Sequence, residues 1–145
     1  MDQIIGVDPG KVTGIAIFNG DGTLDTFGQL SIEEVIELTD GYLKNVSVIV
    51  VEDFILFKKR ALQQAGSRLH ASQVIGMMKV FARQKNARLV MQPAERKNDG
   101  ANLSQKFPPS DHSQSHQVDA YNHAFFWMHQ AGIVRSALEV ERLGK

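Results

Sequence analysis

Residues 4–18 read IIGVDPGKVTGIAIF, two apolar stretches on either side of the turn sequence Asp8-Pro9-Gly10. Strand-forming side chains around such a turn predict a β-hairpin. Asn19-Gly20-Asp21-Gly22 is a second turn sequence, and residues 23–28 after it have the modest alternation of a third strand. We therefore expect the chain to open with three antiparallel strands.

The next segments alternate between helix and strand patterns. Ser31 is followed by two nearby glutamates, an arrangement that predicts the start of a helix. Residues 46–51 (VSVIVV) form the nearly continuous apolar run that is typical of a strand buried on both faces. Residues 61–86 predict a second helix, with an apolar stripe that includes Leu69 and Phe81.

The last third of the chain predicts a strand, a loop and a helix. Residues 88–92 form a short strand pattern that Pro93 ends, and residues 95–110 have the polar, Gly-, Asn- and Pro-containing composition of a mobile loop. Residues 111–130 predict the final helix. The order predicts an α/β fold with a five-stranded mixed sheet, three N-terminal antiparallel strands plus two parallel strands, flanked by helices. The 145 residues suit a single domain, 1–145.

Charge is unevenly distributed along the chain. The formal net charge is zero, but residues 1–52 carry two basic and nine acidic side chains, whereas residues 53–110 carry eleven basic and three acidic ones. Because the local field attracts a polyanion, a basic middle beside acidic ends favours a protein that grips phosphates and also binds cations.

The residue types that are missing exclude several classes of site. The sequence has no cysteine, which rules out disulfides, zinc-thiolate sites and thiol nucleophiles. The N-terminus has no basic leader, and Asp8 interrupts its apolar run, so it resembles neither a secretory signal nor a membrane span. We therefore expect a cytoplasmic protein with no membrane partner and no organic cofactor.

Acidic residues end two of the predicted strands. Asp8 and Glu52 each follow an apolar run at a position where a charge is costly without a cation or hydrogen-bond donors. Asp119 lies on the last predicted helix, and His116 lies about one turn before it on the same face. We expect these four side chains to converge. Asp111, in the first turn of that helix, is the alternative to His116 as the fourth ligand.

Oxygen-rich sites of this kind suit Mg²⁺ or Mn²⁺. Two such ions about 4 Å apart are able to orient a water for attack on a phosphodiester and to stabilise the leaving oxygen. Zinc at His112, His116 and His123 is disfavoured because no cysteine accompanies them. The residues thus predict a metal-dependent phosphodiesterase, with a non-catalytic nucleic-acid-binding module of the same fold as the alternative.

The ordered set of Ile5 to Gly10, Thr13-Gly14, Val51-Glu52 and His116-x-x-Asp119-Ala120 resembles the RuvC class of Holliday junction resolvases, in the RNase H-like superfamily. The resemblance spans residues 3 to about 128. It implies a crossover junction endodeoxyribonuclease in which Asp8, Glu52, His116 and Asp119 are catalytic and hold the metals. It further implies a homodimer that nicks opposing strands of a four-way junction, with flaps or replication forks as alternative substrates.

The sequence departs from the family after the glutamate. Relatives commonly have Gln directly after the glutamate and an aromatic residue two positions after that Gln, whereas here Asp53 follows Glu52 and Ile55 occupies the usual place of the aromatic residue. Phe54 or Phe57 is therefore our candidate for wedging the junction. Segment 95–110 is shorter and differently composed than the corresponding loop of bacterial relatives, so the chain looks like a compact, virus-encoded member of the family. The resemblance thus implies the cytoplasm of a bacterium or of an infected host cell. Basic side chains after the glutamate and in this segment fall where a duplex backbone would run. The candidate DNA-binding residues are Phe57, Lys58, Lys59, Arg60, Arg68, Arg96, Lys97 and Lys106.

Overall fold

A computed structural model describes residues 2–43, 45–53, 61–107 and 115–144, with the backbone alone for residues 61–68 and 115. Five strands are found within these ranges. In chain order they are β1 (Gln3–Asp8), β2 (Thr13–Phe18), β3 (Leu24–Leu30), β4 (Val46–Glu52) and β5 (Arg88–Gln92).

The strands form one mixed sheet with the order β3-β2-β1-β4-β5. The first three strands pair antiparallel, and β4 pairs parallel with both β1 and β5. Val7 is the partner of Val51 in the β1 and β4 pairing, so the strands end side by side. The predicted fold class, a five-stranded mixed sheet flanked by helices, is therefore confirmed.

The helices cover both faces of the sheet. They are α1 (Ile32–Glu37), which continues into a π-helical turn (Leu38–Tyr42), α2 (Ala61–Lys85), α3 (Arg96–Ser104), α4 (Ser115–Gln130) and α5 (Ala137–Leu143). Ser31 caps α1 as predicted, through a reciprocal pair of hydrogen bonds with Glu34. None of the helices in the described ranges is both long and apolar enough to cross a bilayer.

Alternate side chains of the strands build two separate cores. On one face, Ile5 and Ile49 pack with residues of α1 and α2, such as Val74. On the other face, Ile4 and Val50 pack with residues of α4. Because both faces of β4 are covered, its residues 48–51 are all buried, as the continuous apolar run predicts.

Two predictions about helices are wrong. Segment 95–110 is not a mobile loop throughout, because residues 96–104 form α3, which packs closely on α4 through the backbone of Gly100 against Asn122. Leu69 was predicted to be buried but is 66% exposed. It lies five residues before the buried Val74, which places it well round the helix from the buried stripe.

Glycines in β1 and β2 allow α4 to lie directly on the sheet. A Cβ atom at Gly6 would collide with the backbone carbonyl of Ala120, and one at Gly14 would collide with that of His116. The helix that carries His116 and Asp119 therefore approaches the strands at backbone distance. This contact fixes the height of both side chains above the sheet edge.

We predict that Gly6→Ala destabilises the protein by about 1–3 kcal/mol, because α4 must shift to admit the methyl group. Gly28→Ala in β3 is the matched control, since a Cβ there has no heavy atom within 4 Å. The control is expected to change stability by no more than about 0.5 kcal/mol. Urea unfolding of the three proteins measures both effects, and equal stabilities would contradict the close approach of α4.

Candidate functional site

The carboxyl ends of β1 and β4 bring two acids together. Asp8 is the last residue of β1 and Glu52 the last of β4, on neighbouring parallel strands. Their carboxyl groups share a hydrogen bond, although 44 residues separate them in the chain. Asp8 is 5% exposed, so the pair forms the floor of the site.

Helix α4 supplies three further side chains from one face. His116, Asp119 and His123 follow one another at helical spacings of three and four residues. His116 Nδ1 lies 3.0 Å from Asp8 Oδ2, and His123 Nε2 lies 3.2 Å from Glu52 Oε1. The four residues predicted to converge, Asp8, Glu52, His116 and Asp119, thus meet at one end of the sheet.

Lys97 joins this cluster from the first turn of α3. Its Nζ lies 3.1 Å from Asp119 Oδ2 and 3.6 Å from Glu52 Oε1, so one ammonium group bridges two carboxylates. The sequence suggested a phosphate contact for Lys97 and gave no sign of this bridge. The reason is that α3 itself was predicted to be a loop.

Sequence reasoning missed two residues at the rear of the site. His123 is fully buried, and its Nδ1 lies 2.7 Å from Oε1 of Gln92, the last residue of β5. Gln92 is the pairing partner of Glu52 in the sheet. A histidine inside the apolar stripe of α4, four residues after Asp119, was the available signal, but its partners are distant in the chain.

The cluster has a shortage of positive charge. Burial raises the pKa of Asp8 to about 8, assisted by the neighbouring Glu52 and opposed by the hydrogen bond with His116. Burial also opposes ionisation of Glu52, but hydrogen bonds with His123 and Asp8 and the charge of Lys97 bring its pKa down to about 2. The pair therefore holds one proton, carried by Asp8, at neutral pH.

The pKa values of the three surrounding groups are also raised. The hydrogen bond to Asp8 raises the pKa of His116, which favours its protonated form. Burial raises the pKa of Asp119 although Lys97 contacts it. Burial acts against the ammonium of Lys97, but the charges of Glu52 and Asp119 outweigh it and raise the pKa of Lys97. Protons and one ammonium thus compensate the three acids.

A divalent cation such as Mg²⁺ or Mn²⁺ needs several oxygen or imidazole donors arranged around one point. No group of three or more acidic or histidine side chains in the described parts of the chain is arranged to coordinate an ion as it stands. Lys97 bridges two of the acids instead. The chemistry nevertheless fits Mg²⁺ or Mn²⁺, because converging carboxylates are hard ligands and the protonated Asp8 marks an unmet demand for positive charge.

The candidate DNA-binding residues have different outcomes. Arg96 forms an ion pair with Asp99 at 2.8 Å, and its guanidinium lies 5.6 Å from the ring centre of Phe126. Lys106 is exposed just beyond the end of α3. The others lie outside the described side chains, as does the alternative ligand Asp111: Phe57, Lys58, Lys59, Arg60 and Arg68.

No protein-family model and no curated protein sequence matches the chain. Solved structures do match. RuvC of Thermus thermophilus in complex with a Holliday junction substrate superposes with a TM-score of 0.62 at 13% identity, covering 94% of this chain and 99% of that one. This chain has the fold of RuvC. A second Thermus thermophilus RuvC structure gives a TM-score of 0.55 at 15% identity, covering 92% and 99% of the two chains.

The raised pKa of Asp8 predicts a pH dependence of stability in EDTA. A carboxyl whose pKa is higher in the folded state stabilises the fold while protonated, and this contribution is lost as pH rises from about 4 towards 8. His116 and Asp119 act in the same direction, whereas Glu52 stays ionised above pH 5. The free energy of unfolding should therefore fall between pH 5 and pH 8.

Asp8→Asn should flatten this slope, of which Asp8 contributes at most about 1.4 kcal/mol per pH unit. Asp21→Asn is the control, because the pKa of Asp21 is lowered by its hydrogen bonds with Thr23 and Asp21 does not titrate in this window. Denaturant unfolding at pH 5, 6.5 and 8 measures the slopes. A wild-type slope that Asp8→Asn leaves intact would show that Asp8 is ionised throughout.

Proposed function

We propose that this protein is a divalent-metal-dependent DNA endonuclease that nicks phosphodiesters at Holliday junctions or other branched DNA. The observation that carries the proposal is the convergence of Asp8, Glu52, His116 and Asp119 at the carboxyl end of the central strands. The fold supports it, because a solved structure with the same fold is that of RuvC with a Holliday junction substrate. The proposed enzyme class is crossover junction endodeoxyribonuclease.

Asp8, Glu52, Asp119 and His116 are the proposed ligands of two Mg²⁺ or Mn²⁺ ions. Bound there, the ions would orient the attacking water and offset the charge that develops on the scissile phosphate. The residues prepare this site by their burial and convergence. Asp8 must give up its proton before it can act as an anionic ligand, and the hydrogen bond from His116 stabilises the ionised form.

The partner of Lys97 differs between the cation-free protein and the proposed cation-bound protein. Without cations, its ammonium neutralises Glu52 and Asp119. Once cations neutralise those acids, the same ammonium is free to approach a phosphate oxygen beside the site, since its side chain is 31% exposed. The proposed role of Lys97 in DNA binding therefore agrees with its position against the acids.

The partners we propose are branched DNA and a second copy of the chain. We assign phosphate contacts to the basic candidates named from the sequence, with Phe54 or Phe57 as the wedge. A dimer is supported by large apolar side chains exposed on the helical face opposite α4, namely Ile36 at 50%, Leu69 at 66% and Val80 at 59%. Leu69 and Val80 are eleven residues apart on α2, which places them on one side of that helix.

A non-catalytic junction-binding module is the second candidate function. It is favoured by one observation, that Lys97 already bridges Glu52 and Asp119 while no coordinating group is preformed among the described residues. Such a module would bind branched DNA equally well in EDTA and in Mg²⁺. It would also gain no thermal stability from divalent ions.

The proposed activity predicts that Asp8→Asn, Glu52→Gln and Asp119→Asn each abolish nicking but leave junction binding largely intact, because each removes a ligand charge and little volume. Asp25→Asn, exposed on the edge strand β3, is the control and should cut as the wild type does.

Labelled four-way junction, flap and linear duplex are incubated with each protein in Mg²⁺, Mn²⁺ or EDTA and resolved on gels. Cutting in EDTA, or cutting by all three acid variants, refutes the metal-dependent site. Binding without cutting by the wild type in every metal supports the non-catalytic alternative. The preferred substrate separates junction resolution from flap or fork cleavage.

Lys97→Met should separate metal binding from DNA binding. Without DNA, Mn²⁺ should bind at least as tightly as to the wild type, because the competing ammonium is gone. Junction binding should weaken. The negative slope of log K against log salt should become shallower by about one unit, because a single phosphate contact is lost. Lys85→Met, at the end of α2 beside Phe81, is the control for removal of one charge. Equal salt slopes for the two variants would remove Lys97 from the DNA interface.

A further inference from the structure

The environment of Glu52 is built from two sides. Lys97 contacts Oε1 from the partly exposed side, at 3.6 Å, and His123 contacts the same oxygen from the interior, at 3.2 Å. The side chain of His123 has no exposed surface, whereas that of Lys97 is 31% exposed. The contact from Lys97 is therefore replaceable by an incoming ligand, and the contact from His123 is not.

The hydrogen bonds of His123 define which of its ring nitrogens carries the proton. Glu52 Oε1 is a carboxylate oxygen and accepts, so Nε2 of His123 must carry the proton and donate. The other ring nitrogen meets the amide of Gln92 at 2.7 Å, and an amide is able to donate or accept according to its orientation. Either orientation of Gln92 leaves the Nε2–H bond to Glu52 in place.

Gln92 is itself held by the sheet. It is 5% exposed, pairs with Glu52 in the β4 and β5 register, and accepts a hydrogen bond from the backbone N–H of Asp53 at its carbonyl, at 2.7 Å. His123 is likewise fixed, because α4 packs directly on β1 through Gly6. The hydrogen-bonded series from Gln92 through His123 to Glu52 is thus anchored in strand β5 and helix α4.

We propose that His123, oriented by Gln92, is a positioning residue that holds the carboxylate of Glu52 in its ligating conformation. The inference rests on the proposed metal-dependent function and deepens it. A glutamate has three rotatable side-chain bonds, and a ligand that is free to turn away binds metal less tightly than one held in place. Hydrogen bonds to ligating carboxylates typically change metal affinity by about ten- to a hundredfold.

The test measures Mn²⁺ binding calorimetrically with the DNA-free protein, so that it does not depend on cleavage. His123→Leu fills much of the space of the ring without a donor, and we expect it to weaken Mn²⁺ binding by roughly tenfold or more. His123→Gln keeps an N–H that is able to reach Glu52 and should recover most of the affinity. His129→Gln is the control, because His129 lies on the same helix but bonds to Glu139.

A second variant keeps the test decisive if His123→Leu does not fold. Gln92→Met is close in size to the wild type but releases Nδ1 of His123, and it should weaken Mn²⁺ binding less than His123→Leu does. Circular dichroism and thermal unfolding in EDTA establish that each variant is folded before titration. If His123→Leu does not fold, Gln92→Met and His123→Gln carry the comparison.

The outcomes separate the two proposals. If His123→Leu and Gln92→Met bind Mn²⁺ as tightly as the wild type does, the positioning role is overturned and the proposed function stays intact. Weakening by both, with recovery in His123→Gln and none in the control, supports the positioning role. Equal weakening in His123→Gln and His123→Leu means that volume or packing is responsible and overturns it. A wild-type protein that binds no Mn²⁺ overturns the proposed metal-dependent function and this inference together.

Discussion

The mutual repulsion of buried acids is the constraint on which the rest of this site depends. Asp8 and Glu52 are forced together by the parallel pairing of β1 and β4, and Asp119 is added from above by α4. Burying such a group without positive charge is costly. The protein meets the cost with one retained proton, the ammonium of Lys97 and the imidazole of His116. The proposed cation-binding role is consistent with that balance, because a cation would supply the positive charge that the acids lack.

Close backbone packing holds the elements around the site together in spite of this repulsion. Gly6 and Gly14 lower α4 onto the sheet, and Gly100 lowers α3 onto α4. These backbone contacts leave little freedom for the side chains that α3 and α4 contribute. Glycines that contribute no side chain to the site thus set the distances between the side chains that do.

The local sequence pattern predicts those parts of the fold that depend on turn residues and hydrophobic periodicity. The hairpin, the buried β4 and the acids at the strand ends follow from turn residues and periodicity, so the positions of Asp8 and Glu52 were predictable. Helix α3 was not, because it has few apolar residues and is held by packing on α4. His123 was overlooked because Gln92 and Glu52 lie 31 and 71 residues away in the chain. Helix α5 was missed although its capping box, Ser136 with Glu139, is a local signal.

The order of the site residues along the chain has a consequence for synthesis on the ribosome. Asp8 and Glu52 belong to the first half, whereas Lys97 and Asp119 come from α3 and α4 near the other end. A nascent or truncated polypeptide that stops before α4 carries two of the three acids and lacks the helix that covers one core of the sheet. If the acids act as proposed, DNA cutting is withheld until translation has passed the final ligand and the tertiary structure has closed.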